Sequence, residues 1–251
     1  MSTGQVIHLE SVDSTNEYLK RQGALLPDGT VVVADHQTAG KGRLGRSWQD
    51  APGQSLLASW LLKSLQGDAL LLLPLAAGMA VLDALDSLGA QGANLKWPND
   101  IVAQRDGRCR KLGGILCEHR VGQQSFSVCG IGVNLLQPQE VFDGRGLPDA
   151  GSVQGVLGAP LKREELLRAI GQSLQKRCAQ AVAEPQALLQ DVSVRCITLG
   201  RTVKIKTEAG EYTAFAARLD RDGQLICQTE EGEEIKVRAG EVSVRGLNGY
   251  L

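Results

Sequence analysis

Residues 38–48, T-A-G-K-G-R-L-G-R-S-W, restrict the folds open to this chain more than any other segment, because they cannot supply a face of a hydrophobic core. The glycines leave the backbone free to approach a ligand closely, and the cations donate hydrogen bonds without accepting any. Clustered backbone N–H groups and fixed cations suit a ligand with several negative oxygens, such as a triphosphate or an acyl phosphate. The residues concerned are Gly40, Gly42 and Gly45 with Lys41, Arg43 and Arg46.

Two general phosphate-binding motifs fail in this segment on spacing or context. A P-loop in this register would need glycine at Asp35 and a hydroxyl residue at Gly42. The G-x-G-x-x-G pattern of dinucleotide-binding domains is present, but it has to open a helix, and residues 47–53 have the composition of a turn. A flexible surface loop remains the alternative, since loops commonly carry glycine and charge.

The charge balance argues against whole classes of partner. The net charge of the 251-residue chain is −1, so no nucleic-acid partner is expected, because such proteins carry a basic excess or a basic face. The sequence has no run of about 18 apolar residues and no signal-peptide pattern, which predicts a cytoplasmic protein with no membrane partner. The six cysteines are widely spread without a C-x-x-C pair, which favours buried reduced thiols over a zinc site.

Hydrophobic periodicity divides the chain into a large part with strands and helices and a small all-β part. From about residue 195 short strands alternate with turns, which is typical of a small β-barrel. We therefore predict two domains, residues 1–190 and 195–251. Strands are predicted at 6–10, 30–37, 56–62, 111–118 and 125–134, helices at 14–22, 68–88, 161–182 and 185–192, and a loop at 137–160.

The polar run Ser14, Thr15 and Asn16 has two interpretations. Ser14 and Glu17 match the capping box S-x-x-E ahead of a helix, and capping is the commoner use of such residues. Alternatively, the hydroxyl and amide groups bind a small polar ligand at the positive end of that helix. Gln37 lies where a strand meets the glycine-rich segment, so its amide could reach the same ligand.

Two lysines lie in further polar clusters. Residues 96–100, K-W-P-N-D, are kept out of a helix by the X-Pro step. Either they form a polar turn with Lys96 solvated, or Lys96 meets phosphate while Asp100 holds magnesium or orients a base. Lys111, which we predict to begin a strand, precedes two glycines that leave room for a ligand. The alternative is a solvated Lys111 beside a β-bulge.

The predicted strand at 125–134 is cut away on one side. Gly130 and Gly132 are two residues apart, so they share a face of the sheet. Glycines in the interior of a strand often mark the close approach of a ligand or another backbone. The sequence therefore predicts a pocket above this face.

Five segments carry a resemblance when they are taken together and in order. They are D-S-T-N-E-Y-L (13–19), H-Q-T-A-G-K-G-R-L-G-R-S-W (36–48), L-K-W-P-N-D (95–100), R-K-L-G-G-I-L (110–116) and G-I-G-V-N (130–134). The ordered set resembles the biotin protein ligases, also called biotin–[acetyl-CoA-carboxylase] ligases. The tail resembles their small SH3-like C-terminal domain, so the likeness covers essentially the whole chain.

The resemblance implies both a fold and a reaction. The fold is an α/β (α+β) catalytic domain with a central mixed sheet flanked by helices, followed by an SH3-like β-barrel. In the reaction, ATP and biotin give biotinoyl-5′-AMP and pyrophosphate. The biotinoyl group then passes to one lysine of the biotin carboxyl carrier protein. The implied cofactors are ATP, biotin as substrate, and magnesium.

The resemblance also implies roles for individual residues. The positions matched to biotin binding are Ser14, Thr15, Asn16, Gln37, Gly40, Lys41, Gly42, Arg43, Lys111 and Gly114. The positions matched to ATP binding are Lys41, Arg43, Arg46, Trp48, Lys96, Asn99, Asp100, Lys111 and Asn134. Lys111 and Arg43 match catalytic positions, and Asp100 matches a position near the triphosphate and its magnesium.

Three features depart from the family pattern. Position 41 is lysine where many relatives have arginine, so it keeps the charge but not a bidentate contact. Residues 138–153 contain no Trp or Tyr, which leaves Phe142 as the candidate cover for adenine. The chain starts directly at the catalytic domain, without the helix-turn-helix that makes some relatives repressors, so no DNA-binding role is expected.

Two other functions and the oligomeric state remain open. A lipoate ligase or octanoyl transferase shares the fold and the acyl-adenylate chemistry, although the loop and the K-W-P-N-D cluster favour biotin. A non-enzymatic regulator would bind biotin without forming the adenylate. Relatives often dimerise by pairing sheets edge to edge, so the resemblance makes a homodimer possible, while the residues themselves do not reveal the oligomeric state.

Overall fold

A seven-stranded mixed sheet organises the larger part of the protein in the computed structural model, which describes residues 4–122, 124–207, 210–239, 243–246 and 250. The strand order is β1-β2-β3-β7-β6-β5-β4, with β1 parallel to β2 and every other pair antiparallel. This confirms the predicted central mixed sheet. The strands are β1 (Val6–Val12), β2 (Val31–Gln37), β3 (Ser55–Leu62), β4 (Ala93–Lys96), β5 (Asp100–Arg105), β6 (Arg108–Arg120) and β7 (Phe126–Asn134).

The helices divide between the two faces of this sheet. They are α1 (Thr15–Gln22), α2 (Ala69–Ser87), α3 (Gln139–Asp143), α4 (Val153–Leu157), α5 (Arg163–Ala183) and α6 (Pro185–Arg195). Alternating side chains of β3 fill two separate cores: Leu61 packs with α1, while Leu62 belongs to the main core with α2 and α5. Since α1 covers only part of its face, the rest of that face can hold a site.

Helix α2 is apolar on all sides because it is buried between the sheet and α5. Among the described residues it is the one helix long and apolar enough to cross a membrane, since a window of 18 residues within it has a mean hydropathy of 1.8. However, 72% of that window is buried inside the protein. Its composition therefore fits a core helix.

Local details differ from the sequence predictions at several places. Strands β4 and β5 were not among the predicted strands. Lys111 does not begin its strand, because β6 starts at Arg108, directly after a tight turn in which Asp106 and Gly107 have φ of 51° and 73°. The predicted loop at 137–160 contains two short helices, α3 and α4. Helix α4 is capped by Ser152, which accepts a hydrogen bond from the backbone N of Gly155 at 3.1 Å.

A five-stranded antiparallel sheet follows and confirms the predicted small all-β domain. Its order is β11-β10-β9-β8-β12. The strands are β8 (Arg201–Thr207), β9 (Gly210–Leu219), β10 (Leu225–Gln228), β11 (Glu234–Val237) and β12 (Ser243–Gly246). Helix α6 continues to Arg195, through the gap that the sequence predicted between the two domains, so the boundaries at 190 and 195 stay a prediction.

The two sheets share one hydrophobic core. The turn between β9 and β10 lies against α2, so that a side chain at Gly223 would meet Leu72 and Leu75. Trp97 Nε1 donates to the carbonyl of Gly223 at 3.0 Å, and the backbone N of Trp97 donates to Thr198 Oγ1 at 3.0 Å. The smaller sheet thereby packs directly behind the K-W-P-N-D cluster.

Candidate active site

A cavity of about 150 Å³ lies on the α1 face of the large sheet. It is bounded by the start of α1, the loop at 38–48, strands β6 and β7, residues 96–100 and strand β12. All but two of the sequence-predicted site residues line it. They are Ser14, Thr15, Asn16, Gln37, Lys41, Gly42, Arg43, Arg46, Trp48, Lys96, Asn99, Asp100, Lys111 and Gly114.

Two glycines of β7 let side chains of the cavity wall approach the sheet closely. A Cβ on Gly130 would lie 2.2 Å from Asn16 Oδ1, and a Cβ on Gly132 would lie 2.9 Å from the Trp48 ring. Gly114 on the neighbouring strand β6 is also close to Trp48, whose ring would lie 3.4 Å from an added Cβ. The predicted cut-away face is therefore confirmed, and Asn16 and Trp48 approach the sheet through it.

The capping-box interpretation of Ser14 and Glu17 is wrong. Ser14 occupies the N-cap position of α1, but its side chain makes no capping hydrogen bond. Glu17 Oε1 instead accepts from Lys20 Nζ at 2.8 Å and from Lys41 Nζ at 2.6 Å. The long-range pair with Lys41 therefore replaces the local cap and ties the glycine-rich loop to α1.

Thr15 and Asn16 are buried and held by other side chains at the cavity wall. The backbone N and Oγ1 of Thr15 lie 2.8 Å and 3.1 Å from Gln37 Oε1. Ser59 Oγ on β3 lies 2.7 Å from Thr15 Oγ1 and 2.6 Å from Asn16 Oδ1. These contacts fix neutral donors and acceptors beside the cavity.

Two residues of this network, Ser59 and Glu118, were not predicted from the sequence. Asn16 Nδ2 donates to Glu118 Oε2 at 2.8 Å and to the carbonyl of Leu116 at 3.1 Å, and Ser59 joins the same network. For Ser59 a signal existed, because a hydroxyl in the interior of an apolar strand has to find a partner. Glu118 lies outside the motifs, and no pattern in the sequence singled it out.

The loop at 38–48 is held by its own backbone, by the pair between Lys41 and Glu17, and by a contact from Arg43 to the K-W-P-N-D cluster. Leu44 and Gly45 take left-handed φ values of 56° and 70°, which reverse the chain. The backbone N of Gly42 donates to the carbonyl of Arg46 at 2.7 Å. Arg43 Nη1 donates to Asn99 Oδ1 at 3.0 Å, so the loop reaches the K-W-P-N-D cluster.

Lys111 points into the cavity because of a bulge in the β5–β6 pairing. Ile101 pairs with Gly113, and the next residue of β5 pairs with Lys111, so the register shifts by one residue on β6. Lys111 Nζ then lies 2.6 Å from Asp100 Oδ1. The alternative of a bulge is therefore correct, but the lysine is paired with a carboxylate instead of being freely solvated.

The charged part of the site carries more cations than carboxylates. Burial would raise the pKa of the Asp100 carboxyl, but the Lys111 ammonium and the hydrogen bonds from Lys111 and Tyr250 lower it. Burial lowers the pKa of Lys96 to about 7, against the opposing effect of Asp100. Arg245 of β12 also lines the cavity, and no motif predicted it. The excess of cations suits anionic ligands.

The described residues contain no group of three His, Cys, Asp or Glu side chains that could hold a metal ion. Asp100 is the one carboxylate among the described lining residues. Its Oδ1 is taken by Lys111, and its Oδ2 accepts a hydrogen bond from the Tyr250 hydroxyl. A magnesium ion would thus meet one already-engaged ligand here, and its assignment to Asp100 stays a prediction.

The two remaining predicted residues and one aromatic candidate do not line the cavity. Gly40 lies under Trp48, because a Cβ there would be 2.7 Å from the Trp48 carbonyl oxygen. Asn134 ends β7 and donates through Nδ2 to the carbonyl of Gly151 at 3.1 Å. Phe142, the candidate cover for adenine, is buried with 4% of its surface exposed.

Two family models match the sequence. The model described as "Biotin/lipoate A/B protein ligase family" matches residues 8–134, which carry α1, the loop and strands β1 to β7. The model described as "Biotin protein ligase C terminal domain" matches residues 198–245, which carry the smaller sheet.

Curated proteins and solved structures give the same result. The chain is 36% identical over 221 residues to a biotin–[acetyl-CoA-carboxylase] ligase of Mycobacterium tuberculosis, a match covering 86% of this chain and 79% of the relative. It is 31% identical over 252 residues to the bifunctional ligase/repressor BirA of Escherichia coli, covering 96% and 74%. A biotin protein ligase from Aquifex aeolicus, solved in complex with biotin and ATP, superposes with a TM-score of 0.80 at 30% identity, covering 96% of this chain and 99% of that chain.

Proposed function

We propose a mechanism for this chain on the premise that it belongs to the biotin/lipoate A/B protein ligase family, whose model matches residues 8–134. The chain is an ATP-dependent biotin ligase. In the first step a biotin carboxylate oxygen attacks the α-phosphorus of ATP, the bond to the bridging oxygen breaks, and pyrophosphate leaves. In the second step a carrier lysine amine attacks the carbonyl carbon of biotinoyl-5′-AMP and AMP leaves.

One observation supports this proposal above the others. The same cavity is lined by a set of neutral polar side chains and by a set of cations. Ser14, Thr15, Asn16 and Gln37 supply hydroxyl and amide groups that can pair with the polar atoms of the biotin ureido ring. Lipoate has an apolar dithiolane ring with no hydrogen-bonding atoms to match these hydroxyl and amide groups, so the lipoate alternative is not favoured. The cations come from the loop at 38–48 and from strands β4, β6 and β12, and they line the same cavity.

Lys111 and Arg43 are the catalytic residues of this proposal. A carboxylate that attacks a phosphate meets repulsion between two anions, so fixed cations at the point of contact lower the barrier. Lys111 lies on the sheet and Arg43 on the loop, and both line the cavity. Together with Lys96 and Arg46 they can neutralise the carboxylate and the phosphates.

In this proposal Asp100 would be the residue that holds a magnesium ion bound to the nucleotide. This ion keeps several waters and usually binds through phosphate oxygens and one or two carboxylates. Asp100 can serve as such a carboxylate once a phosphate competes for Lys111, its present partner at 2.6 Å. The ion would supply further neutralisation of the triphosphate.

The loop at 38–48 closes over the adenylate in this proposal. A mixed anhydride hydrolyses easily, so water has to be excluded until the carrier arrives. The cavity of about 150 Å³ is smaller than the roughly 300 Å³ or more that ligand sites usually occupy. The loop must therefore move outward to admit biotin and nucleotide before it closes again.

The proposal extends to partners and location. The acceptor is a biotin carboxyl carrier protein. The net charge of −1 gives no reason to expect a nucleic-acid partner, and a gel-shift assay with DNA in the presence of biotin would test this. Among the described residues β1 pairs only with β2, so its outer edge is available for a homodimer by edge pairing. All six cysteines are free, as suits the reducing cytoplasm.

Biotin-dependent ATP–pyrophosphate exchange tests the first step. Wild type should exchange with biotin and not with lipoate. Lys111→Ala and Arg43→Ala should each lose on the order of 100-fold or more, because each removes a cation aimed at the developing charge. Matched controls are Lys162→Ala and Arg221→Ala, whose side chains are 78% and 88% exposed and which should exchange like wild type.

The assay also separates the alternatives. A protein that binds biotin in calorimetry but never exchanges pyrophosphate would be a sensor and not a ligase. Undiminished exchange in Lys111→Ala would remove the main catalytic assignment. Circular dichroism of each variant establishes that the fold is intact.

A further inference from the structure

The penultimate residue, Tyr250, lies against the back of the cavity wall. It is 8% exposed and packs with Val102, Cys109 and Ile197. It does not line the cavity itself, although its neighbours Lys96 and Asp100 do. Its side chain is thus placed to act on those two residues from behind without touching a bound ligand.

Both the hydroxyl and the ring of Tyr250 contact a residue that lines the cavity. The hydroxyl donates to Asp100 Oδ2, while Lys111 Nζ lies 2.6 Å from Asp100 Oδ1. The two oxygens of the carboxylate are therefore held from opposite sides, which fixes its rotation. The Lys96 ammonium lies 3.4 Å from the centroid of the Tyr250 ring, within the range of a cation–π interaction.

Tyr250 is tied to the smaller sheet. The backbone N of Gly246, the last residue of β12, donates to the Tyr250 carbonyl at 3.3 Å. The guanidinium carbon of Arg245 lies 4.9 Å from the centroid of the Tyr250 ring. Tyr250 therefore connects β12 to the two cavity residues supplied by the large sheet.

We propose that Tyr250 is a positioning residue for adenylate formation, which orients Asp100 through its hydroxyl and Lys96 through its ring. This inference rests on the proposed function. Asp100 sets the direction of the Lys111 ammonium, so loss of the hydroxyl should disturb the step in which Lys111 neutralises the reacting anions. Loss of the ring should in addition release Lys96, which meets phosphate, and should weaken ATP binding.

Two substitutions in the full-length chain separate the two parts of the side chain. Tyr250→Phe removes the hydroxyl and keeps the ring. It should lower kcat of ATP–pyrophosphate exchange by about tenfold, the usual scale for a hydrogen bond to a charged group, with KM for ATP within about twofold of wild type. Tyr250→Leu should lower kcat similarly and also raise KM for ATP by about fivefold, because the cation–π contact is lost too.

The neutral polar group that faces biotin has no contact with Tyr250, so KM for biotin should stay unchanged in both variants. The matched controls are Tyr212→Phe and Tyr212→Leu, at a tyrosine of β9 that is 41% exposed on the same small sheet. These should leave all three constants at wild-type values.

The outcomes are distinguishable. Wild-type constants in Tyr250→Phe, or a lowered Tm with unchanged kcat and KM, would overturn the inference and make Tyr250 a structural anchor only. A wild type that shows no biotin-dependent exchange would refute the proposed function instead. In that case calorimetry with ATP alone still tests Tyr250, because Tyr250→Leu should bind ATP about fivefold more weakly than wild type, and equal binding would overturn the inference.

Discussion

At the residue scale, Gly130 allows the most specific prediction for the site. A Cβ added at Gly130 would lie 2.2 Å from Asn16 Oδ1, a distance that requires Asn16 to move out of its network. Gly130→Ala should therefore weaken biotin binding by about tenfold or more and lower stability by about 1–3 kcal/mol, as overpacking usually does. Calorimetry with biotin and thermal unfolding measure the two effects.

The control for this substitution is Gly122→Ala, since a Cβ there would meet nothing within 4 Å. That variant should bind biotin like wild type. If Gly130→Ala also kept the wild-type affinity, Asn16 would not be part of the biotin site.

Lys96 predicts a pH dependence of nucleotide binding. Burial lowers its pKa to about 7 in the ligand-free protein, so the side chain is mostly neutral above that pH. A bound triphosphate favours the charged form, which means that ATP binding above pH 7 takes up a proton. The affinity for ATP should therefore fall as pH rises from 7 to 9, by at most about tenfold per unit.

Calorimetry with ATP at several pH values measures this effect, and Lys96→Met should abolish it. The charged groups that face Lys96 are Asp100, Lys111 and Arg245, with the thiol of Cys109 and the ring of Tyr250 beside them. Lys162→Met, at an exposed lysine, is the control and should keep the wild-type profile. A wild-type affinity that is flat over this range contradicts the prediction.

Sequence periodicity identified most regular elements, because their residues carry a repeating burial pattern of their own. The strand at 30–37 and the helix at 68–88 appear as β2 and α2 within one residue at each end. The start of β6 was misplaced because Arg108 and Arg110 flank a single buried cysteine after the turn at Gly107, which gives no apolar run typical of a strand. Helices α3 and α4 were missed because five residues are too few to show a helical period.

The candidate site was predictable where its residues form compact motifs and was not where single residues converge from distant parts of the chain. The glycine-rich loop and K-W-P-N-D were found for the first reason. Ser59, Glu118 and Tyr250 were not, because each acquires its partner only through the fold, across 43, 102 and 150 residues. The same long-range pairing explains the false capping box, since Glu17 bonds Lys41 and not the N-terminus of α1.

The loop at 38–48 carries a prediction at the scale of an element. Its three cations are trypsin sites on a segment that must open to admit ligand, because the cavity of about 150 Å³ is too small as it stands. Biotin with ATP should slow cleavage at Lys41, Arg43 and Arg46 by at least about fivefold, since binding selects the closed form. Mass spectrometry of timed digests measures cleavage at each site.

Arg221, at the exposed turn between β9 and β10, provides an internal control in the same digest, because its side chain is 88% exposed and lies outside the cavity. Its cleavage rate should not respond to ligand. Equal rates at the loop sites with and without ligands would mean that the loop does not close over the adenylate.

At the scale of the whole molecule, the two sheets are expected to unfold together. One continuous core includes Val203 of β8 as well as Leu72 of α2. Trp97 bridges the parts through its hydrogen bond to the carbonyl of Gly223. Separation of the sheets would expose this apolar core to water and break the hydrogen bond between Trp97 and Gly223, so a state with only one sheet folded is costly.

The three tryptophans make this cooperativity measurable. They lie at positions 48, 60 and 97, all outside the smaller sheet, so their fluorescence reports on the large one.

Val203→Ala removes two methyl groups from the core of the smaller sheet and should lower the free energy of unfolding by about 2 kcal/mol. In urea, the midpoint from tryptophan fluorescence should fall by the same amount as the midpoint from far-UV circular dichroism. Val194→Ala, at a side chain that is 84% exposed, should move neither. A Val203→Ala protein whose fluorescence midpoint stays at the wild-type value would show that the sheets unfold independently, and the positioning of Asp100 and Lys96 by Tyr250 would then lose its rigid support.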